Sequence, residues 1–174
     1  MDFSHWGIMR YNLNTKEQQT FINQKNDTNA MVNAQFWCVI SDRQGEIWAG
    51  TEDKGLYRYN PKTQYKKKLS HIQGNQQSIP SNHVKCIYSD KDGSLWIGTD
   101  AGLSHIDTQK ERVIKNFNQE DGLSNNIIYG ILEDNNGNLW LTTDNGLSCF
   151  NKKTEKFKNY GLSNGLVNSE FNIN

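Results

Sequence analysis

The chain has 174 residues, room for one domain of ordinary size. Its 34% hydrophobic content is low for a globular protein, but 11% aromatics with five Trp argue against disorder, which is typically aromatic-poor. Lys+Arg and Asp+Glu each number 19, so net charge is zero, and the one basic run, Lys66-Lys67-Lys68, reads as a solvated edge; the concentrated positive field that nucleic acid binding needs is missing.

In chain order, Met1-Asp2-Phe3-Ser4-His5-Trp6 has neither the charged nor the apolar region of a signal peptide. No stretch approaches the ~20 apolar residues of a membrane span, so no membrane contact by this segment is expected. Gly7-Ile8-Met9-Arg10-Tyr11-Asn12 is the first trace of a repeat. The repeat is complete at 36–51, 84–99 and 128–143, where three stretches align without a gap, and the turn glycines Gly45, Gly93 and Gly137 fall roughly 44–48 residues apart. Each copy continues into Gly-Leu-x-x-Tyr/Ile/Phe-Asn/Asp at Gly55, Gly102 and Gly146. Gly165-Leu166-Val167-Asn168-Ser169 then repeats Gly122-Leu123-Ser124-Asn125-Asn126.

Each copy reads as four short strands. The first is apolar-rich and ends in Asp-x-x-Gly, a tight turn in which Asp bonds nearby backbone and Gly supplies positive φ. Ile/Leu-Trp-x-Gly-Thr is the second strand, the Gly-Leu segment the third, and Leu69, Phe117 and Tyr160 mark the fourth. No segment carries a 3.6-residue apolar period, so helix is expected to be nearly absent. Four strands at ~40–50 residues per unit indicate an all-β protein of antiparallel β-propeller blades. The division is a partial blade at 1–32, blades at 33–80, 81–124 and 125–167, and the start of another at 168–174. Trp48, Trp96 and Trp140 are expected to pack on the neighbouring blade. Cys38, Cys86 and Cys149 show no zinc spacing and read as small buried thiols.

The pattern Asn-x-Val/Ile-x-x-Ile-x-x-Asp-x-x-Gly-x-Leu-Trp-Ile-Gly-Thr-x-x-Gly-Leu, plainest at Asn82 to Leu103, resembles the two-component-regulator propeller repeat. The resemblance covers about residues 33–171. It implies the periplasmic sensor region of a hybrid two-component system, a family mainly of gut Bacteroidetes. Its members carry seven-bladed propellers, a β-sandwich, a membrane helix and a histidine kinase, and sense oligosaccharides released from glycans. Gly161 to Asn172 looks like the family's passage out of a run of blades. Two departures stand out: Thr142 replaces the usual Gly of the second strand, and blade one has an extra residue within Glu52-Asp53-Lys54. Three whole blades do not close a seven-bladed ring. The chain is therefore expected to be part of such a sensor or a truncated relative, and either to self-associate or to join the remainder of a larger propeller.

Propellers usually bind at the end of their channel, on loops joining the fourth strand to the next first strand and the second to the third. Those loops hold Asn33, Asn82, His83, Asn126, Asn168, Asp100 and Asp144. Amides and carboxylates there suit sugar hydroxyls; the alternative is that they cap turns. Comparing the repeats adds a second set. Phe36/Val84/Ile128 and Val39/Ile87/Ile131 stay apolar, while Trp37/Lys85/Tyr129 changes chemistry from blade to blade. A stacking role on sugar faces for Trp37 and Tyr129, with Lys85 bonding a hydroxyl or acidic sugar, stands beside the alternative of a tolerant surface position.

No catalytic or metal motif is present: the His, Asp and Glu residues fall at different places in the repeat, and Asp90-Lys91-Asp92-Gly93 lacks the remaining ligands of a calcium loop. Neither an enzymatic activity nor a cofactor is expected. The rival to an oligosaccharide sensor is a propeller serving as a protein-interaction scaffold; a propeller lyase or hydrolase comes third.

Overall fold

The computed structural model describes residues 8–21, 34–168 and 171. The expectations for Met1–Trp6, Gly7, Asn33, Ser169, Glu170 and Asn172 lie outside them.

The first described element is a hairpin, β1 (Ile8–Tyr11) and β2 (Gln18–Phe21). Three four-stranded antiparallel meanders come next, each with its strands side by side in chain order. The first holds β3 (Phe36–Ser41), β4 (Ile47–Thr51), β5 (Leu56–Tyr59) and β6 (Lys66–Leu69). The second holds β7 (Val84–Ser89), β8 (Leu95–Thr99), β9 (Leu103–Asp107) and β10 (Arg112–Phe117). The third holds β11 (Ile128–Glu133), β12 (Leu139–Thr143), β13 (Gly146–Asn151) and β14 (Lys156–Tyr160). Helix is limited to two single 3₁₀ turns among the described residues, Gln119–Asp121 and Leu162–Asn164. The architecture is that of propeller blades.

Local chemistry sets each turn. In the first hairpin of each four-stranded sheet, Gly45, Gly93 and Gly137 sit at φ of 80°, 88° and 82°, a region costly to a residue with a Cβ. The third-to-fourth turns repeat a second device. Asn60, Asp107 and Asn151 each accept backbone N–H bonds from two and three residues on, at 2.9–3.1 Å. These are side-chain turns that mimic backbone ones.

The first strand of the middle sheet, β7, lies against both of the others, β3 and β11. The sheets therefore stack face to face around an axis, and the core sits between them. Trp48 is fully buried with Leu56 and Leu69 of its own sheet and Val84, Leu95, Ile97 and Ile106 of the next. Trp96 makes the second interface with Ile128, Leu139, Leu141 and Phe150. Each indole removes ~150–250 Å² from water, about 4–6 kcal/mol at ~25 cal/mol/Å² before entropy costs. Trp140 belongs to the last described sheet. It is half-buried, stacks on Tyr160 of its own sheet at 5.2 Å between ring centroids, and joins neither interface cluster. Among the described residues no further sheet covers it.

The Thr142 departure is compensated inside its own sheet. In the first two blades a Cys of the first strand faces a Gly of the second, Cys38 opposite Gly50 and Cys86 opposite Gly98. A Cβ on Gly98 would stand 2.5 Å from Cys86 Sγ and 2.6 Å from Ile128 Cγ2 of the next blade, so glycine is required there. In the third blade the sizes are exchanged, with Gly130 opposite Thr142.

Charged groups join the blades at the turn end of the first strands. Arg58 bonds Glu46 of its own sheet and reaches Glu111 Oε1 (2.7 Å) and the Thr108 carbonyl (3.0 Å) of the next. Lys152 donates to Asp90 of the preceding sheet (2.6 Å) and to Glu133 (2.8 Å), which also meets Lys91 at 2.7 Å.

Candidate ligand-binding rim

The three residues whose chemistry differs between repeats share one backbone feature. The ladder between first and second strands shifts between Phe36 and Cys38, between Val84 and Cys86, and between Ile128 and Gly130. Trp37, Lys85 and Tyr129 are thus each the extra residue of a β-bulge. Bulges release a residue from the pleat and re-aim its side chain. Since the first strands are neighbours, the three side chains converge. The Lys85 ammonium lies 4.8 Å from the centroid of the Trp37 ring and 5.2 Å from that of Tyr129. A cation over a ring face gains roughly 0.5–1 kcal/mol at a partly exposed site. Trp37 remains 45% exposed although it is an indole, so its ring offers surface to a ligand.

The second-to-third loops end at the same rim. The Tyr129 hydroxyl donates to Asp144 Oδ1 at 2.8 Å. At the corresponding position of the second blade, Asp100 Oδ2 lies 3.4 Å from His83 Nδ1. Of the residues singled out by sequence, Trp37, Lys85, Tyr129 and Asp144 therefore form one chain of contacts. His83 and Asp100 form a separate pair, with His83 two residues before Lys85 in the chain.

Asn82 and Asn126 have other work. Asn82 Oδ1 accepts from the His71 N–H at 2.7 Å, and its carbonyl accepts from Gly55. Asn126 Oδ1 accepts from the Gln119 N–H at 2.9 Å. Both side-chain oxygens therefore close the loop that brings the fourth strand to the next first strand, as turn-forming amides do.

Sequence reasoning missed two features. One is a polar cleft of 460 Å³ beside the rim on the third blade, lined among others by Gln119, Ser124, Asn145, Asn159 and Ser163. Beneath it, two of its lining residues are tied to buried hydroxyls: Ser124 Oγ lies 2.7 Å from Ser148 Oγ and 2.9 Å from Thr143 Oγ1, and Ser148 donates to Asn159 Oδ1 at 2.7 Å. No spacing in the sequence brings these residues together; only the sheet register does. The other is an indole bond. Trp48, Trp96 and Trp140 each donate Nε1–H to the carboxylate of Asp42, Asp90 and Asp134, at 2.8, 3.1 and 3.0 Å. The constant spacing from turn Asp to Trp was the available signal.

Burial pushes the Cys86 thiol up to about 12 and that of Cys38 to about 11, away from the reactive thiolate. His105 is held below its ordinary value, chiefly by burial, while it stacks on Trp96 at 4.0 Å and lies 2.9 Å from Ser94 Oγ. Among the described residues no group of three or more His, Cys, Asp or Glu is placed to hold a metal ion. Nor is any helix there long and apolar enough to cross a membrane.

Three stretches, residues 31–53, 78–101 and 122–145, match the two component regulator propeller family. Comparison with curated proteins gave no match. Among solved structures, the chain is similar to the extracellular domain of a putative hybrid two component system from B. thetaiotaomicron. The TM-score is 0.72 and the identity 25%, over 93% of this chain and 21% of that one. A second such extracellular domain from the same organism gives 0.70 and 21%, over 88% and 22% of the two chains. Virginiamycin B lyase from Staphylococcus aureus gives 0.61 and 13%, over 89% and 48%, a likeness of fold alone. The chain spans about a fifth of the length of the two hybrid-system domains.

Proposed function

We propose that this chain, which carries the repeats of the two-component-regulator propeller family, is a ligand-sensing segment of a hybrid two-component system. In this reading its rim recognises an oligosaccharide outside the cytoplasmic membrane, on the periplasmic side. The signal passes to a kinase that is not in this chain. The likeness to extracellular domains of hybrid two-component systems supports the sensor role.

One observation carries the saccharide part: the architecture spends three bulges on placing Trp37, Lys85 and Tyr129 together at one rim. Bulges at the same place in every blade with different side chains at their tips are the arrangement expected of a recognition surface on a constant frame. Flat rings suit the apolar faces of a sugar, and the hydroxyl- and amide-lined cleft of the third blade, which Asn145 beside Asp144 helps to line, suits its edges. The uncovered face of Trp140 is where a further blade of a larger ring packs in this reading.

The test is a calorimetric screen of the full chain against neutral and acidic oligosaccharides. Saturable binding by at least one family of them supports the reading. A panel-wide absence of heat, together with capture of one defined protein partner at the rim, would replace it with the interaction-scaffold reading.

A further inference from the structure

Lys85 is held differently from Asp144, Asp100 and Lys54 at the rim. Asp144 accepts the Tyr129 hydroxyl at 2.8 Å, and Asp100 stands 3.4 Å from His83. On the first blade's loop, Lys54 pairs with Asp53 at 2.7 Å. The Lys85 ammonium meets two ring faces, Trp37 and Tyr129, and no carboxylate lies within ion-pair distance of it among the described residues. Ring quadrupoles hold the cation in place but do not neutralise it. The rings also strip water from its flanks, which strengthens its field toward whatever occupies the open side.

From this placement we infer that the saccharide recognised at the rim is anionic, and that Lys85, steadied between Trp37 and Tyr129, binds a carboxylate or sulfate of the sugar. The inference rests on the saccharide reading of the rim and adds its charge class. The division of labour is concrete. Trp37, nearly half exposed, takes an apolar sugar face. The Lys85 ammonium donates its N–H groups to the acidic substituent. Asp144, oriented by Tyr129, and the His83–Asp100 pair bond neutral hydroxyls further along the rim. An ammonium bonding an anion makes a charge-assisted bond, roughly twice as strong as a neutral one. A second lysine or arginine is not needed, because a single flanked cation discriminates a charged ligand from its neutral isostere by about 10-fold or more.

The experiment titrates the full chain with oligogalacturonides and with chondroitin-derived oligosaccharides. Each is set beside its carboxyl-reduced or desulfated form and beside neutral gluco-, manno- and xylo-oligosaccharides. The expected result has three parts. One acidic set binds, and its charge-stripped form binds about 10-fold or more weakly. Raising the salt from about 0.05 to about 0.5 M weakens only the acidic ligand. Lys85→Met, which keeps the aliphatic stem, loses the preference, while Lys85→Arg keeps most of it. Thermal melting of both variants within a few degrees of the native chain ensures that the loss is local. Binding of a neutral oligosaccharide with equal affinity by the native chain and Lys85→Met would overturn the anionic assignment and leave the saccharide reading standing. No binding across the whole panel would overturn both.

Discussion

Asp90 and Trp96, six residues apart in the chain, are joined by a bond of 3.1 Å from the indole N–H to the carboxylate. The same bond joins Asp42 to Trp48 and Asp134 to Trp140. The turn aspartate therefore has two tasks. One oxygen shapes the hairpin, as where Asp42 Oδ1 accepts the N–H groups of Gln44 and Glu46. The other satisfies the single polar atom of the indole, which at Trp48 and Trp96 fills the inter-blade core. Asp42→Ala strands a buried N–H and loosens the turn, so it should lower stability by about 2–4 kcal/mol. Urea unfolding would show this as a reduced midpoint with an unchanged slope.

The Gly98 position tolerates no added atom on either side. Gly98→Ala drives a methyl against Cys86 and Ile128, and should cost about 1–3 kcal/mol. Adding Cys86→Ala should recover only part of this, because Ile128 of the next blade still presses on the site. Gly130→Ala, whose methyl would stand 3.0 Å from the Thr142 hydroxyl alone, should cost less. Thermal melting of these variants beside the native chain orders them.

Acid should undo the clamp between the second and third blades. Hydrogen bonds from Lys152, then Lys91 and Tyr88, hold the Glu133 carboxyl down to about 2, against an ordinary 4.5. A carboxyl depressed in the folded state adds stability above its ordinary value and loses it as pH falls from there through about 2. Glu133→Gln should therefore be less stable than the native chain at neutral pH. The difference should shrink as pH falls from 4.5 to about 2. Equal gaps across that range would show that the ion pairs contribute nothing.

The thiols should react slowly and unequally. Burial raises Cys38 to about 11 and Cys86 to about 12, and raises Cys149 as well. At mildly alkaline pH nearly all of Cys38 and Cys86 is the unreactive thiol. Mass spectrometry after iodoacetamide treatment of the folded chain should find Cys86 the least modified and Cys149, on the last described sheet, the most. Unfolding in urea should make all three equal.

Much of this was legible in advance. The period, the Asp-x-x-Gly turns and the second-strand Trp dictated four-stranded blades, because turn chemistry and aromatic packing act locally and recur. All three indoles lie where the repeat places them in their sheets, each bonded to its turn Asp. Trp48 and Trp96 are covered by the next sheet, while burial of Trp140 takes a sheet that its own repeat does not supply. The exchange of Gly130 for Thr142 was visible as a substitution but not as a pair, since pairing depends on register. The rim was half legible. Position-by-position comparison singled out Trp37, Lys85 and Tyr129, yet nothing in strand alternation announces a bulge, and without the bulges the three would not meet. The amides of Asn82 and Asn126 read equally well as ligand groups or loop ties, and the structure gives both their side-chain oxygens a backbone N–H.

Recognition in this reading depends on the three bulge residues acting as one surface. The most direct measurement is the affinity of a bound oligosaccharide for the native chain and for Trp37→Ala, Tyr129→Ala and the double variant, by calorimetry. Each single change should weaken binding about 10-fold or more, and the double change should abolish it within the measurable range. Affinities that remain unchanged in all three variants, with the fold intact, would contradict the account.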